Sequence, residues 1–275
     1  MYSKFICLVV FILTFSFQSF GVSSGGYETP ADKDVIQTLG RSVKNELPRK
    51  FKLLDWNIEK ALQGEVWAND FSKLQKGYDL ILIQEAVSDD IFMKALKEDT
   101  QTYWNYFVAW IRKIERSSSG LAMGSRVKPT STFFTRTSDV ETYINTSKLA
   151  SYQTYKVQGL KNSELLVINI HAINFVSTAK FGRHIGQVME KIDAHKGPVI
   201  FVGDMNTWKQ PRVDLLMAEA KKRNLVWYDF ERPNVKGMHS KLDHLFVRGL
   251  KANVKSLTDI ISSDHYPISA EFEIQ

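Results

Sequence analysis

The sequence of 275 residues contains a single cysteine, and it lacks an apolar run of the length, about 20 residues, that a transmembrane helix needs. One cysteine excludes a disulfide framework and any zinc site built on cysteines. Beyond residue 50 the chain has no internal repeat, low-complexity segment or long linker. Hydrophobic residues make up 44% of the chain and charged residues 24%, which excludes the disordered and fibrous classes.

The N-terminus predicts a cleaved signal peptide over residues 1–21. Lys4 gives it a positive start, residues 5–17 form a short apolar run, and small residues follow up to Gly21. An uncleaved membrane anchor is the alternative interpretation. Cleavage after Gly21 would remove Cys7 and lower the formal charge from +6 to +5, because Lys4 is the one charged residue lost. We therefore expect a secreted or periplasmic protein, a monomer that has no disulfide and keeps no membrane span.

Residues 22–50 are predicted to form a leader segment ahead of the main domain. Its first residues are rich in serine and glycine, and it ends near Pro48. Apolar residues recur every four positions within it, at Val35, Leu39, Val43 and Leu47. That spacing favours a short amphipathic helix.

Residues 51–275 are predicted to form a single α/β domain. Short apolar runs, typical of strands buried on both faces, occur at residues 52–58, 78–84, 103–111, 152–157, 165–170, 199–202, 242–247 and 267–274. Helical patterns occur at residues 65–76, 177–195 and 211–223. Many strands with a few helices between them favour a layered α/β sandwich.

Polar residues that can carry chemistry stand at the ends of six of these elements. They are Asn57 and Glu59, Glu85, His171, Asp204 and Asn206, Asp243, and Asp264 with His265. One such residue would be explained as a turn or a cap, but the same arrangement in six elements indicates a site. Carboxylate and amide oxygens without cysteine form a hard-oxygen set, which suits Mg²⁺, Mn²⁺ or Ca²⁺. Histidines beside such a metal could supply acid–base chemistry.

The same residues lie in short motifs that follow one another along the chain. These are Trp56-Asn57-Ile58-Glu59, Gln84-Glu85, Asn169-Ile170-His171, Gly203-Asp204-Met205-Asn206, Leu242-Asp243-His244 and Ser263-Asp264-His265-Tyr266-Pro267. The ordered set resembles the endonuclease/exonuclease/phosphatase superfamily, which includes DNase I-like nucleases, abasic-site endonucleases, sphingomyelinases and inositol-phosphate phosphatases. The resemblance runs from about Phe51 to the C-terminus and looks closest to small bacterial members. It implies a four-layered α/β sandwich, with two mixed β-sheets packed face to face, helices flanking them, and the site at the sheet ends.

The resemblance implies a metal site as well. Glu85 matches the principal metal carboxylate, Asn57 its amide neighbour, and Asp264 a further metal-associated carboxylate. Glu59 occupies a position that varies within the family. Mg²⁺, or else Mn²⁺ or Ca²⁺, would polarise a phosphoryl oxygen there and neutralise the charge that develops on it.

Five further residues match catalytic positions of the family. His265 matches the catalytic histidine, with Asp243 as its carboxylate partner, and His171 matches a second histidine of the DNase I-like and sphingomyelinase branches. Asp204 and Asn206 match the pair that orients the attacking water and the scissile phosphate. We expect His265 to activate the water, although whether His265 or Asp204 takes the proton stays open. No counterpart of the catalytic tyrosine of the abasic-site branch is evident, which counts against that subgroup.

The remaining histidines have structural interpretations. His184 and His195 fall in the helical stretch over residues 177–195 and are expected at its surface. His244 should point away from the neighbouring Asp243, because side chains alternate along a strand. His239 is taken as a loop residue, with a place at the mouth of the site as the alternative.

The substrate prediction rests on charge. Six basic residues lie between Arg112 and Arg136, and an aromatic segment over residues 103–110 precedes them. This combination fits a nucleic-acid groove, because cations follow phosphates and rings stack on bases. A charged loop beside a core strand is the alternative. We expect Arg112, Arg126 and Asn174 to contact the substrate.

The predicted function is a secreted, metal-dependent hydrolase of phosphodiester bonds, with a nuclease acting on DNA or RNA, and specifically an endonuclease, as the leading hypothesis. A sphingomyelinase-like phospholipid phosphodiesterase and a phosphomonoesterase are alternatives. The sequence has no extended apolar hairpin for membrane insertion, which counts against a lipid substrate. A non-catalytic protein that binds phosphate or nucleic acid is a third hypothesis, and the intact acid, amide and histidine set counts against it.

Overall fold

The computed structural model describes residues 26–42, 44–230, 235–236 and 241–274, which form two β-sheets packed face to face with two helices outside each. This arrangement confirms the predicted four-layered α/β sandwich. The predicted signal peptide, residues 1–21, lies outside the described residues. In the part of the chain that the structure describes, no helix combines the length and apolarity needed to cross a membrane.

The strands are β1 Tyr27–Glu28, β2 Ile36–Gly40, β3 Lys50–Asn57, β4 Leu80–Val87, β5 Tyr103–Arg112, β6 Ser118–Ser125, β7 Ser131–Arg136, β8 Leu149–Tyr155, β9 Leu165–His171, β10 Val199–Asp204, β11 Val226–Tyr228, β12 Asp243–Arg248, β13 Leu250–Ser256 and β14 Ile268–Ile274. The α-helices are α1 Glu65–Gln75, α2 Asp90–Glu98, α3 Thr178–Ala194 and α4 Gln210–Lys222. Short 3-10 turns occur at Asp32–Asp34 and Glu59–Ala61.

Both sheets are mixed. In the first sheet the strand order is β1-β5-β6-β4-β3-β14-β13, and β2 also pairs with β5. In the second sheet the order is β11-β12-β10-β9-β8-β7. Each sheet has one parallel pair, β3 with β4 and β9 with β10, and the other pairs are antiparallel. Parallel neighbours bring their carboxyl ends to the same edge of the sheet, which is where site residues can converge.

Three apolar layers hold the sandwich together. Alternating residues of the two sheets, such as Leu53 and Val167, fill the space between the sheets. The other face of the first sheet packs against α1 and α2 through an aromatic cluster that includes Trp56 and Trp67. The other face of the second sheet packs against α3 and α4, where Phe181 is fully buried. Burial of this apolar surface is the main force that stabilises the fold.

The predicted helices are confirmed, and their ends have clear physical causes. Ser177 caps α3, where its side chain accepts a hydrogen bond from the backbone of Lys180 at 3.4 Å. Pro211 stands in the first turn of α4, where its missing N–H costs nothing. The predicted helix over residues 65–76 corresponds to α1.

The short amphipathic helix predicted within residues 22–50 is wrong. Ile36–Gly40 is a strand that pairs with β5, and Tyr27–Glu28 pairs further along the same edge. Val35 and Leu47 are fully buried and belong to the core between the sheets. The segment therefore covers the outer edge of β5, whose backbone groups would otherwise lack partners. A spacing of four residues could not reveal this pairing, because its partner lies about 70 residues away in the chain.

The strand of small residues, β6, was not predicted, and neither were β7, β11, β13 and the helix α2. In β6, Gly120 packs so closely that a Cβ atom there would lie 1.8 Å from the carbonyl oxygen of Phe107. Across it, β5 has an irregularity between Val108 and Trp110, and Trp110 consequently joins the core between the sheets. Strict alternation along β5 would put Trp110 on the opposite face, with Trp104.

Candidate active site

Side-chain alternation brings most of the predicted site residues onto the two inner faces of the sandwich. In β3, Leu53 packs between the sheets, and Asn57 lies four residues later on the same face. In the second sheet, the register places Asp204 opposite both His171 on β9 and Asp243 on β12. The amide of Asn57 donates to Asp204 across the two sheets. The site therefore lies at one end of the sandwich, where both parallel strand pairs end.

Unusual backbone conformations shape this end. Glu85 has a φ of 55° at a β-bulge that follows Gln84, so it leaves the regular ladder. Asn206 has a φ of 49°. Gly203 has a φ of 136°, and a Cβ atom there would lie 2.2 Å from the carbonyl oxygen of Ile170. The glycine that precedes Asp204 in the sequence motif is thus required by close packing of two strands.

His265 and Asp243 form a buried hydrogen-bonded pair. The Nδ1 of His265 lies 2.7 Å from an oxygen of Asp243. Burial disfavours the charged imidazolium, but the charges of Asp243, Asp204 and Asp264 outweigh burial and raise the pKa of His265 to about 10. Trp56 donates from its indole nitrogen to the carbonyl of His265 at 3.1 Å and fixes the backbone. Because Asp243 holds Nδ1, the nitrogen left to face water or phosphate is Nε2.

Asp204 lies at the centre of the site. One oxygen accepts from the Asn57 amide at 3.0 Å, and the other accepts from the backbone N–H of Asn206 at 2.9 Å. The Nε2 of His171 lies 3.6 Å from the first oxygen. Burial raises the pKa of Asp204 to about 7, a rise that nearby Asp243 increases and His265 opposes. At neutral pH this carboxyl group can therefore both hold and release a proton.

Asn206 is held firmly by its neighbours. Its Nδ2 donates to the carbonyl of Ala172 at 2.9 Å, and its Oδ1 accepts from the indole N–H of Trp208 at 2.8 Å. These bonds tie the turn after β10 to the loop after β9. Any contact of Asn206 with a substrate must share these atoms, so its predicted role in orienting the phosphate stays a prediction.

His171 is a neutral histidine in this site. Burial, together with the nearby positive charge of Lys148, places the pKa of His171 well below its ordinary value, although Glu85 opposes this effect. A neutral imidazole can donate one hydrogen bond to a phosphoryl oxygen without adding charge. This state agrees with the predicted role of His171, which stays a prediction.

The predicted metal-binding acids gather beside the His265 pair. Partial burial and the negative charges of Asp264 and Glu85 raise the pKa of Glu59. Glu85 contacts the ammonium group of Lys60. Burial would raise the pKa of Glu85, but the ammonium groups of Lys60 and Lys148 outweigh burial and hold it well below its ordinary value. Three carboxylates close enough to repel one another form a site that a divalent cation would stabilise.

The donor set fits a hard cation. Glu85, Glu59 and Asp264 offer carboxylate oxygens, Asn57 offers an amide oxygen, and none offers sulfur. In the described part of the chain, the group of three whose ligand atoms lie within 4.8 Å of one another is Asp204, Asp243 and His265, and it does not include Glu85, Glu59 or Asp264. These three residues are buried, His265 and Asp243 bond each other, and the oxygens of Asp204 already accept from Asn57 and Asn206, so Glu85, Glu59 and Asp264 stay the predicted metal ligands.

The structure shows supporting residues that were not predicted. Lys60, the residue after Glu59, reaches Glu85. Below the site, the Nε2 of Gln84 donates to Asp55 and to Asn169, both at 2.7 Å, and so links the two sheets. Asp55 is fully buried, and one of its oxygens has no hydrogen-bond partner among the described residues. Burial, reinforced by the charge of Asp243, raises the pKa of Asp55 well above its ordinary value. The sequence did contain a signal for Asp55, because an acid inside the apolar strand β3 is unusual.

The predicted substrate-binding residues separate in space. Arg126 follows the end of β6 that pairs with the start of β4, at the opposite end of the sheet from Glu85. It forms an ion pair with Asp99 at 2.6 Å and donates to two backbone carbonyls, so its prediction as a substrate contact is wrong. Arg112 is the last residue of β5, at the end of the sheet where the site lies. Its positive charge acts to lower the pKa of Lys60. Its role stays a prediction.

Asn174 shapes the loop after His171. Its side-chain oxygen accepts from the backbone of Phe175, and its own N–H donates to Glu141, each at 2.8 Å. The side chain is partly exposed beside the site, and its predicted contact with substrate stays a prediction.

The other histidines are structural. The surface prediction for His184 is wrong, because its ring is buried and its Nδ1 accepts from the backbone of Ile173 at 3.2 Å. Burial lowers the pKa of His184 to about 3. His195 is partly buried and bonds the carbonyl of Glu164 at 2.9 Å. His244 packs with the outer face of the second sheet, opposite to Asp243, as alternation predicts. His239 lies outside the described residues.

The fold is a four-layered α/β sandwich with a cluster of acids, amides and histidines at one end. A model of the endonuclease/exonuclease/phosphatase family matches residues 56–265, and the chain belongs to this family. Membership supports a phosphoesterase or nuclease type of function, and members of the family generally depend on divalent metals.

Relatives and neighbours agree with this membership. A UPF0294 protein of Vibrio campbellii is 27% identical over 293 residues, covering 100% of this chain and 99% of the relative. An endonuclease/exonuclease/phosphatase family protein from Leptotrichia buccalis superposes with a TM-score of 0.61 at 18% identity, over 82% of this chain and 99% of that one. D. rerio TDP2 complexed with a single-strand DNA product superposes with a TM-score of 0.58 at 14% identity, over 82% and 99%. The two solved structures establish the fold alone.

Proposed function

We propose that this protein is a metal-dependent phosphodiesterase that cleaves nucleic acid. The observation that carries the proposal is the buried His265–Asp243 pair, which lies beside Asp204 and next to the carboxylate group around Glu85. These residues would supply a proton donor, a proton acceptor and a cation-binding set at one end of the sandwich. That combination is what hydrolysis of a phosphate ester requires.

Glu85, Asn57, Glu59 and Asp264 would hold the metal, with Mg²⁺ as the leading candidate and Mn²⁺ or Ca²⁺ as alternatives. When bound, such an ion polarises a phosphoryl oxygen and neutralises charge that develops on it. The charges of Asp264 and Glu85 add to burial in raising the pKa of Glu59, and a bound cation would relieve this repulsion, which supports the proposed site.

The protonation states of His265 and Asp204 assign different roles to the two residues. With a pKa of about 10, His265 is an imidazolium at neutral pH, so it donates to the phosphate or to the leaving oxygen. Asp204, with a pKa of about 7, is the better acceptor for the proton of the attacking water. This assignment replaces the expectation that His265 activates the water. Asp243 holds the charged imidazole in place, and neutral His171 donates to a phosphoryl oxygen.

Nucleic acid is the substrate class that the surroundings support best. Arg112 lies on the side of the site, and Lys60 and Lys148 line a cavity that also contains Glu85 and His171. Cations arranged around a cleavage site are suited to a phosphate chain. The D. rerio TDP2 complex, which has the same fold, contains a single-strand DNA product. Sphingomyelin and phosphomonoesters are the competing substrates.

The test is a parallel assay. The purified protein with Mg²⁺ is offered plasmid DNA, RNA, sphingomyelin and a phosphomonoester. We expect cleavage of nucleic acid, its loss in EDTA, and a loss of at least about a hundredfold in the variants His265→Ala and Glu85→Ala. Val226→Ala, an exposed change on a distant strand, is the matched control. Cleavage of lipid but not of DNA or RNA would overturn the nuclease assignment, and near-normal activity of either site variant would overturn the mechanism.

We propose further that residues 1–21 direct export and are then removed. The short apolar run after Lys4 is the observation behind this proposal. Mass spectrometry of the N-terminus of protein recovered from the periplasm or medium tests it, with cleavage after Gly21 expected. Full-length protein recovered with the membrane fraction would favour the uncleaved anchor instead.

A further inference from the structure

Two aromatic rings are exposed side by side on the loops next to His171. Tyr143 is 70% exposed and Phe175 is 53% exposed. Their ring centroids lie 5.4 Å apart, with the planes at 73°, so the two rings meet edge to face. Large aromatic side chains are normally buried, and a pair in mutual contact at the surface differs from scattered exposed aliphatic residues. We call Tyr143 and Phe175 the aromatic pair.

The loops that carry the aromatic pair are fastened to each other. The hydroxyl of Thr142 donates to the carbonyl of Phe175 at 2.7 Å. The buried carboxylate of Glu141 accepts from the backbone of Asn174 at 2.8 Å and lies 3.6 Å from the ammonium group of Lys148. The backbone segments that carry the two rings are therefore tied together before any ligand arrives, which reduces the entropy that binding must remove.

The aromatic pair adjoins the catalytic cavity. Ile144 and Lys148, from the loop of Tyr143, line a cavity of about 60 Å³ together with Glu85 and His171. Phe175 lies four residues after His171 along the chain. A phosphate placed at the catalytic residues would thus lie next to the two loops that carry the aromatic pair.

Flat rings next to cations are suited to an unpaired base. Base–aromatic stacking tolerates any base, because every base has a π-face, and the cations hold the phosphates on either side. A duplex offers no such face, because its bases are already stacked on one another. Three exposed aliphatic residues, Leu62, Ile114 and Ile261, are ordinary single surface residues among those that the structure describes.

We propose that Tyr143 and Phe175 form a stacking site for an unpaired base next to the scissile phosphate, so that the enzyme prefers single-stranded nucleic acid. This inference rests on the proposed function and names the substrate class within it. A lipid surface is the competing ligand for the same rings, and the edge-to-face pair beside the cavity that contains Glu85 and His171 favours the base.

The experiment measures stacking without cleavage. A single-stranded oligonucleotide carrying 2-aminopurine is titrated onto protein with His265→Ala, with and without Tyr143→Ala and Phe175→Ala together. We expect binding to quench the fluorescence in the first protein, and the added double change to abolish quenching and weaken binding at least about tenfold. Val226→Ala, an exposed change on a distant strand, is the control and should leave both unchanged. Equal quenching and affinity in both proteins would overturn the inference.

Cleavage assays then separate substrates. In protein with an intact His265, the double change should slow cleavage of single strands at least about tenfold and leave nicking of duplex plasmid within about twofold. A loss confined to binding or turnover of sphingomyelin vesicles would overturn the inference in favour of a lipid. Quenching without any cleavage of DNA or RNA would refute the proposed nuclease and leave the stacking site supported. Absence of quenching in every protein would overturn the stacking site whether or not the protein cleaves nucleic acid.

Discussion

The ammonium group of Lys60 contacts the carboxylate of Glu85, and both residues have a backbone φ of 55°. Left-handed backbone is uncommon for residues with side chains. The contact therefore joins two residues that each have an unusual backbone conformation. Burial disfavours the charged ammonium, but Glu85 and Asp264 outweigh burial and raise the pKa of Lys60. Lys60 is therefore a fixed positive charge at the residue that would be the principal metal carboxylate.

Removing this charge should tighten metal binding. A unit charge about 4 Å from another is worth about 4 kcal/mol at an effective dielectric constant of about 20. A tenfold change in affinity needs about 1.4 kcal/mol, so we expect Lys60→Met to bind Mn²⁺ at least about ten times more tightly than the natural protein. Isothermal titration calorimetry measures the affinity directly, without any substrate.

Lys50→Met is the matched control for this measurement. Lys50 pairs with Glu273 at 3.3 Å on the surface, at the opposite end of β3 from Asn57. Its removal should leave the Mn²⁺ affinity unchanged. If Lys60→Met bound Mn²⁺ no better than the natural protein, Lys60 would not compete with the ion at Glu85.

The buried acid Asp55 should cost stability at neutral pH. An acid with a raised pKa keeps its proton in the folded protein, so folding loses stability as pH rises above the ordinary value of 3.8. Asp55→Asn removes the ionisable group and keeps an acceptor for Gln84. We expect the metal-free variant to be about 1 kcal/mol more stable than the natural protein at pH 8 and about equal near pH 4. Urea unfolding at both values checks this, with exposed Glu65→Gln as control.

Much of the fold could be predicted from local patterns. Apolar runs and the polar residues at their ends located the central strands, and helical spacing located α1, α3 and α4. The segment Ile36–Gly40 could not be predicted in this way, because it is a strand only through its pairing with β5. The small-residue strand β6 escaped prediction because close packing, and not apolar content, holds it in the sheet.

The site was predictable in its residue types and less so in its connections. The ordered motifs identified Asp204, Asp243 and His265, which the structure brings together. The contact of Lys60 with Glu85 could not be predicted, because both residues have left-handed backbone conformations that no local sequence pattern indicates. In the sequence, Arg126 looked equivalent to Arg112. The two residues lie at opposite ends of the first sheet because Arg112 ends β5 and Arg126 follows the antiparallel strand β6.

Arg126 should matter for stability and not for catalysis. Its guanidinium is mostly buried with Asp99 and donates to the carbonyls of Tyr78 and Gln75. Arg126→Met leaves these acceptors without partners, so we expect a loss of about 3 kcal/mol in the free energy of unfolding. Arg116→Met, which removes an exposed ion pair with Glu28, should cost about 0.5 kcal/mol or less. Turnover per folded molecule should be unchanged in both, and a large rise in KM for Arg126→Met would restore its predicted role in substrate binding.

The charge on His265 should persist far above the ordinary histidine range. In metal-free protein, NMR of the ring nitrogens should show imidazolium up to a pH near 10, and Asp243→Asn should lower that pKa by removing the principal partner. A raised pKa favours the folded state fully below the ordinary value of 6.5, and this contribution is lost as pH rises through about 10. Relative to His265→Asn, the natural protein should therefore lose stability as the pH rises from 6.5 to about 10. A neutral ring at pH 8 in the natural protein would return the role of base to His265 and remove the case for Asp204.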